Sequence, residues 1–489
     1  MRFGMLVVLL LAPFPAQANG RFPATMSITF HPDDPDTILV GATFGAVLTR
    51  DGGETWRWIC EDGIGYAGIW DPNYGIETGS GLYVATTFRG VRVSEDLGCD
   101  WELRGGEHDT DWFNGLALQG DGRWLFATAS GGRANGVFWS DDHASTLNDT
   151  SLNAEDRFFR TPILGPAGSD RAYVVEYSLD PVSVWVHRSE DGGMTWVPTL
   201  QVEGTADLFL FEVDPIDPDV FYYQLPQGES WELHRHTERW SKPETEPGRV
   251  PDPPVSLPST DEVLYAMDSL IAAFALSSDG QTILVGSRPP GGGGGGGTSE
   301  VVRSEDGGFS FAPVATPIRS MCFEERDDVV YACAENWDDG FAIGQSDDWG
   351  DSWTGLFRYA ELQGPLTCGS CTAVDEICDP IFWTLCDQFG IEGGECDGPG
   401  ADAGPAVDCE DAGPDGGGGD ADTDTETGAD VDADTDGDTD TGPDADTDGD
   451  IDLPQPPKDD GCGCSATGGS AFGLTGIMIF AARRRRRAC

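Results

Sequence analysis

One eight-residue pattern, S/T-x-D-x-G-x-T/S-W, recurs along the body of this chain at intervals close to the length of a small supersecondary unit. Thr49, Asp51, Gly53, Thr55 and Trp56 form one copy, Ser189, Asp191, Gly193, Thr195 and Trp196 a second, and Ser346, Asp348, Gly350, Ser352 and Trp353 a third. A fourth, Ser304, Asp306, Gly308 and Ser310, closes on Phe311 instead of Trp. Ser94, Asp96, Gly98 and Trp101 carry Asp100 where the others have a hydroxyl; Ser140 and Asp142 keep the front half, and near Trp240 only the closing aromatic survives. The aspartates at 51, 96, 142 and 191 are 45, 46 and 49 residues apart, and 306 and 348 are 42 apart. The gap of 115 between Asp191 and Asp306 leaves room for one degenerate unit and an insertion.

The frame before each copy is the same: an apolar strand, a D-P or D-G turn, a second alternating strand, and a third strand running into the pattern. Examples are Ile28 to Phe30, Thr37 to Val40 and Ala46 to Leu48, and again Phe209 to Phe211, Val220 to Tyr223 and Trp231 to Leu233. Strands at this spacing, punctuated by Gly, Asp and Pro, predict an all-β fold. With a fourth strand after each pattern, such as Arg57 to Cys60, every unit is one blade of a β-propeller. First strands near Ile28, Ile69, Leu116, Ile163, Leu210, Phe274 and Cys322 predict seven blades. The sixth is expected to be oversized, with the Pro-rich stretch 251–258 leading into it and Gly291 to Gly297 as loop material.

The repeat resembles the Asp-box, or BNR, repeat of sialidases, sortilin-type receptors, xyloglucan hydrolases and the photosystem II assembly factor, over residues 22 to 358. That resemblance implies that the aspartates are structural, with Asp and hydroxyl groups satisfying turn backbone, Gly accepting the bend and Trp packing between blades. It also implies what an active site would need. Sialidases use an arginine triad and a Tyr/Glu pair on six blades, and Arg21-Phe22-Pro23 is only a scrambled echo of their N-terminal arginine motif. Xyloglucan-type enzymes place carboxylates across a cleft between two propellers, and this chain has one. The sequence nominates no acid/base pair. Tyr66, Trp70, Trp112 and Trp231 have the chemistry to stack sugar rings, although packing between blades is the expected use.

Charge separates the body from its flanks. The net charge is −58, from 28 basic and 86 acidic side chains, which excludes a general nucleic-acid binder. Residues 397–460 carry 23 of the acids and a single Lys. The body, 21–396, stays strongly acidic with 63 acids and 21 bases, which disfavours anionic ligands. Residues 1–18 read as a signal peptide, with Arg2, an apolar run and Ala16-Gln17-Ala18 as the cleavage site. At the other end Cys462 and Cys464 precede a short apolar stretch and Arg483, Arg484, Arg485, Arg486 and Arg487. This order resembles the myxobacterial C-terminal sorting domain, which implies a membrane-inserted signal, processing by sorting machinery, and display at the cell surface or release from it.

An exported chain favours disulfides. Four cysteines lie in the propeller, Cys60, Cys99, Cys322 and Cys333, and six follow it, Cys368, Cys371, Cys378, Cys386, Cys396 and Cys409. Cys322 with Cys333 on adjacent strands and Cys60 with Cys99 are the pairs expected within the propeller; the other six are expected to staple one or two small helices. His234 and His236 flank Arg235 and are expected as a surface pair, with no metal site. The D-x-D-T-D-G repeats after residue 410 start like calcium loops but have Pro443 and Gln455 where a bidentate Glu is required, so only weak calcium association is expected, and no other cofactor.

The expected organisation is a signal peptide (1–18), a seven-bladed propeller (22–362), a disulfide-stapled module (363–409), a disordered acidic linker (410–460) and a C-terminal sorting helix (461–489). The expected role is a non-enzymatic binding module for a glycan or protein partner. The alternative is a glycoside hydrolase using axial carboxylates.

Overall fold

The computed structural model describes residues 21–67, 70–240, 256–288, 299–392 and Cys396. The expected signal peptide, acidic linker and sorting helix, with Cys409, Cys462, Cys464 and Arg483 to Arg487, lie outside the described residues.

The described residues form seven sheets, each with a core of antiparallel strands consecutive in sequence. Blade one holds β1 (Thr25–Phe30), β2 (Ile38–Ala42), β3 (Gly45–Thr49) and β4 (Trp56–Ile59), followed by the short helix α1 (Glu61–Ile64). Blade two holds β5 (Asn73–Ile76), β6 (Tyr83–Thr86), β7 (Val91–Ser94) and β8 (Glu102–Arg104). Blade three holds β9 (Phe113–Leu118), β10 (Trp124–Thr128), β11 (Ala134–Ser140) and β12 (Asn148–Glu155). In blade four the first strand is split into β13 (Phe158–Phe159) and β14 (Ile163–Leu164) around Pro162, which has no N–H to donate; β15 (Ala172–Leu179), β16 (Val182–Ser189) and β17 (Val197–Glu203) complete it. Blade five holds β18 (Phe209–Val213), β19 (Val220–Gln227), β20 (Ser230–Trp240) and β21 (Ser256–Met267). Blade six holds β22 (Ile271–Leu276), β23 (Ile283–Ser287), β24 (Val301–Ser304) and β25 (Ala312–Pro313). Blade seven holds β26 (Cys322–Arg326), β27 (Val329–Cys333), β28 (Ile343–Ser346) and β29 (Thr354–Phe357).

The seven-bladed expectation holds, with two corrections to how the units were divided. Blade two starts at Asn73, after Ile69, which lies outside the described residues. The Pro-rich stretch falls in blade five, after β20 and reaching into the first residues of β21, and only the glycine run belongs to blade six, between β23 and β24. Blade five lost its repeat because β20 and β21, 11 and 12 residues long, run on past the point where the other blades turn; Trp240 therefore ends a third strand instead of opening a fourth.

First strands lie innermost: β1 contacts β5 and β26, β5 contacts β9, and β22 contacts β26. Second strands are deeply buried, as in β2, β6, β10 and β23, where every residue is buried. Antiparallel order then sets two ends to the ring. Turns between strands two and three share one end with the links between blades, and the repeated turns between strands three and four sit at the other.

No blade is completed by a strand exchanged between the chain termini within its four-strand core. Instead the chain leaves blade seven and adds β30 (Leu362–Pro365) in parallel to the outer edge of β4 in blade one. The following helix, α2 (Trp383–Phe389), and the turns before it press Val374, Phe382, Leu385 and Phe389 into the blade-one core with Phe44, Trp58 and Ile64. Phe382 meets Trp58 at 5.9 Å and Phe389 meets Phe44 at 4.9 Å.

Disulfides fix this latch and correct one expected pairing. Cys60 does not bond Cys99. Cys60 joins Cys378, and Cys99 joins Cys368, tying the segment to blades one and two. Cys322 pairs with Cys333 across β26 and β27, and Cys386 with Cys396. Cys371 is disulfide-bonded as well. The expected pairing failed because Cys60 caps α1 at the outer end of blade one, where the returning segment passes, and Cys99 sits in the blade-two turn facing the same segment.

Candidate functional site: axial carboxylates and an aromatic group on one face

The repeated turns use up their own functional groups. Asp51 Oδ1 accepts from Thr49 Oγ1 and from the Thr55 N–H, both at 2.8 Å, and Asp51 Oδ2 accepts from Thr55 Oγ1 at 2.5 Å. The Gly53 N–H returns to Thr49 Oγ1 at 2.9 Å. Asp191 accepts corresponding bonds from Ser189 and Thr195, Asp306 from Ser304 and Ser310, and Asp348 from Ser346 and Ser352, while the Gly193, Gly308 and Gly350 N–H groups donate to Ser189, Ser304 and Ser346 Oγ. Asp96 is bonded likewise by Ser94 and the Asp100 N–H, with the Gly98 N–H on Ser94. Burial opposes ionisation at Asp51, Asp191 and Asp348, but the hydrogen bonds from Thr55, Thr195 and Ser352 outweigh it and hold these carboxyls below their ordinary range.

Blade three holds more of this turn than its sequence promised. Ala144 stands where the others have glycine, at φ 62°, and donates its N–H to Ser140 Oγ at 3.0 Å, while the Thr146 N–H donates to Asp142 Oδ1 at 2.9 Å. Thr146, four residues after the aspartate, was the available signal. The closing aromatics wedge each blade against its predecessor. Trp56 lies 4.9 Å from Phe357 of blade seven, Phe311 lies 5.0 Å from Tyr265 of blade five, and Trp196 joins the core of Leu125, Ala127 and Val137. Trp101 is buried among blade-one residues, and Trp353 packs against the core that holds Ala273 and Leu284 of blade six while stacking on Phe323 of its own blade at 5.9 Å.

The axis holds a different chemistry, which the sequence did not nominate. Glu212 of β18 and Glu324 of β26 stand on innermost strands two blades apart. Both are half-buried. Glu212 lies within a register shift between Leu210 and Val213, a bulge of the kind that re-aims a side chain from its ladder. Burial raises Glu324 to about 7. Glu212 is pushed well above the ordinary carboxylate range, first by burial and then by the charges of Glu324 and Glu325. Two carboxyls raised above their ordinary range, Glu212 in part by the charge of Glu324, have the chemistry from which acid and base roles can be divided. No residue spacing links positions 212 and 324; only ring closure does.

At the end away from the repeated turns, three rings gather from blades two and three. Phe88, in the turn between β6 and β7, stacks on Trp112 at 4.6 Å with planes 6° apart, and Trp70 sits 5.1 Å from Trp112. Phe88 is 41% exposed, and Trp70 and Trp112 are half-buried. Of the other aromatics with sugar-stacking chemistry, Tyr66 is buried and Trp231 packs beside the blade-five and blade-six core. The aromatic group thus belongs to blades two and three and the axial glutamates to blades five and seven.

Two further expectations meet the structure differently. Arg21 is held by Asp71 in a two-pronged ion pair at 2.9 and 2.8 Å, so its guanidinium already serves a carboxylate of the protein. His234 and His236 are a buried pair, not a surface one. Both face Asp261 of β21, whose carboxylate also takes the Tyr223 hydroxyl at 2.9 Å, and they stack on Tyr223 and Phe221. They are buried because blade five's long hairpin carries β21 over them. Among the described residues no group of three or more His, Cys, Asp or Glu is arranged to hold a metal ion, and no helix is long and apolar enough to cross a membrane.

No protein-family model and no curated protein sequence matches this chain. Among solved structures it is similar to a GH74 xyloglucanase from Xanthomonas campestris, with 16% identity, a TM-score of 0.44, and 70% of this chain against 55% of that one. It is also similar to hydrazine synthase from Kuenenia stuttgartiensis, at 13% identity and TM-score 0.45 over 69% of this chain and 99% of that one. A third is YCF48 from Cyanidioschyzon merolae, at 12% identity and TM-score 0.41 over 64% and 93%. The chain spans about half the length of the first two GH74 structures it matches. What the sheets themselves establish is a seven-bladed propeller repeat protein.

Proposed function

We propose that this chain is an exported, surface-displayed propeller that acts as a non-enzymatic binding module, taking a glycan or protein partner on the face that carries Trp70, Phe88 and Trp112. The supporting observation is the position of that ring group: stacked aromatics stand in turns at one end of the ring, with Phe88 41% exposed, instead of between blades. The disulfide pairs are consistent with maturation outside the cytoplasm, as residues 1–18 imply. The test is a glycan array and a partner capture with the exported chain and its Phe88→Ala variant. Binding that is unchanged in the variant rejects this face as the site.

A second reading has its own observation. Glu212 and Glu324 at the axis have the perturbed titration expected of an acid/base pair, which supports a glycoside hydrolase. A hydrolysis screen with Glu212→Gln and Glu324→Gln separates the two. Turnover lost in both variants favours the enzyme, and no turnover by the parent favours the binding module.

A further inference from the structure

We infer that the binding face carries an extended track for an uncharged, hydroxyl-rich glycan chain, running from Trp337 in blade seven through Phe22 to Trp70, Trp112 and Phe88. This deepens the binding reading above and rests on it. All five residues stand at the same end of the ring. Trp337 lies in the connection between β27 and β28, Phe22 precedes β1, Trp70 and Trp112 lie in links between blades, and Phe88 lies between β6 and β7. Four adjacent blades contribute: seven, one, two and three.

The rings form two groups joined by a polar clamp. Phe22 and Trp337 meet edge to face at 5.0 Å and are 43% and 47% exposed. The second group is the Trp70, Trp112 and Phe88 set. Between them runs the ion pair of Arg21 with Asp71, the direct sequence neighbours of Phe22 and Trp70. The clamp thereby holds the backbone at both inner ends of the track.

Two acidic groups beside the rings are paired with basic ones. Asp111 takes Arg133 at 2.8 Å and His108 at 2.9 Å, and Arg319 pairs with Asp338 next to Trp337. Each pair is locally neutral and still offers planar donors and acceptors to hydroxyls. Aromatic faces alternating with such groups match the two surfaces of a sugar, its C–H face and its hydroxyl rim. An anionic polymer would meet the acidic body of the chain. A protein partner calls for a contiguous apolar centre ringed by polar groups, whereas here ion pairs interrupt the rings.

Affinity electrophoresis of the full chain through gels containing a neutral β-glucan, a galactomannan, an amylose or a polyuronate tests this. At least one neutral polysaccharide is expected to retard the parent. Phe88→Ala and Trp337→Ala, at opposite ends, are each expected to weaken that binding about tenfold, and Trp337→Phe to restore most of it. A Phe88→Ala loss with an unaffected Trp337→Ala variant overturns the track and leaves the binding face standing. Retardation only by the polyuronate, or by none of the four, overturns the glycan class. Capture of a protein partner that Phe88→Ala abolishes, without any glycan binding, assigns the face to that partner instead.

Discussion

If the C-terminal segment closes the ring, removing its two disulfides should destabilise the propeller in a non-additive way. Cys60–Cys378 encloses a sequence separation of 318 and Cys99–Cys368 one of 269. On the chain-entropy relation, either bond alone is worth about 6 kcal/mol against a fully unfolded chain. With one formed, the other closes a remaining loop of only about 50 residues, through Cys60 to Cys99 and Cys368 to Cys378, and adds about 4 kcal/mol. Replacing one pair by serines therefore costs about 4 kcal/mol, and replacing both costs about 10 kcal/mol, more than twice the single loss. Urea midpoints under non-reducing conditions, read by tryptophan fluorescence, measure this for the two double variants and the quadruple variant. The reasoning is refuted if all three unfold at the parent midpoint while residues beyond Leu362 become protease-sensitive. In that case the segment would clasp only itself and the seam between blades seven and one would hold without it.

Glu324→Gln should raise stability at pH 8 by up to about 3 kcal/mol and leave it unchanged at pH 4.5, measured by urea unfolding at both values. The folded carboxyl titrates at about 7 and the unfolded one near 4.5, so the unfolded chain releases its proton first and stability falls as pH rises between them. Asp191→Ala removes the acceptor of both Thr195 bonds and should cost about 2 kcal/mol in the same assay, whereas Asp191→Asn should recover part of it. Gly193→Ala should cost more than about 1 kcal/mol in thermal unfolding, because a Cβ there would lie 2.6 Å from the Leu125 side chain on a backbone with φ +88°.

What was readable from sequence follows the range of the interactions. The repeated turn is closed by bonds between residues two to four apart, so its residue types and spacing reveal it directly. Blade three was under-read because Ala144 takes a left-handed conformation usually left to glycine. The pairing of Cys322 with Cys333 was visible because a tight hairpin sets them opposite each other. Cys60 and Cys99 were misassigned because their partners arrive only after the whole ring has been laid down. The candidate site divides the same way. Trp70 and Trp112 stood out as residues, but their stacking with Phe88 joins two blades, and Glu212 feels the charge of Glu324 only because a circle of strands brings both to the axis. The histidine pair was misplaced because its cover, β21, follows an insertion that had been attributed to the next blade.

The bond between Cys60 and Cys378 also turns nearly the whole propeller into a covalent macrocycle. A single peptide-bond cut anywhere between those two residues opens the circle without releasing a fragment. For a chain displayed outside a cell as proposed, two cuts within the circle would be needed before any of blades two to seven could be lost, and between Cys99 and Cys368 a second covalent circle imposes the same requirement; blade one, which ends at Ile59, lies before the circle begins.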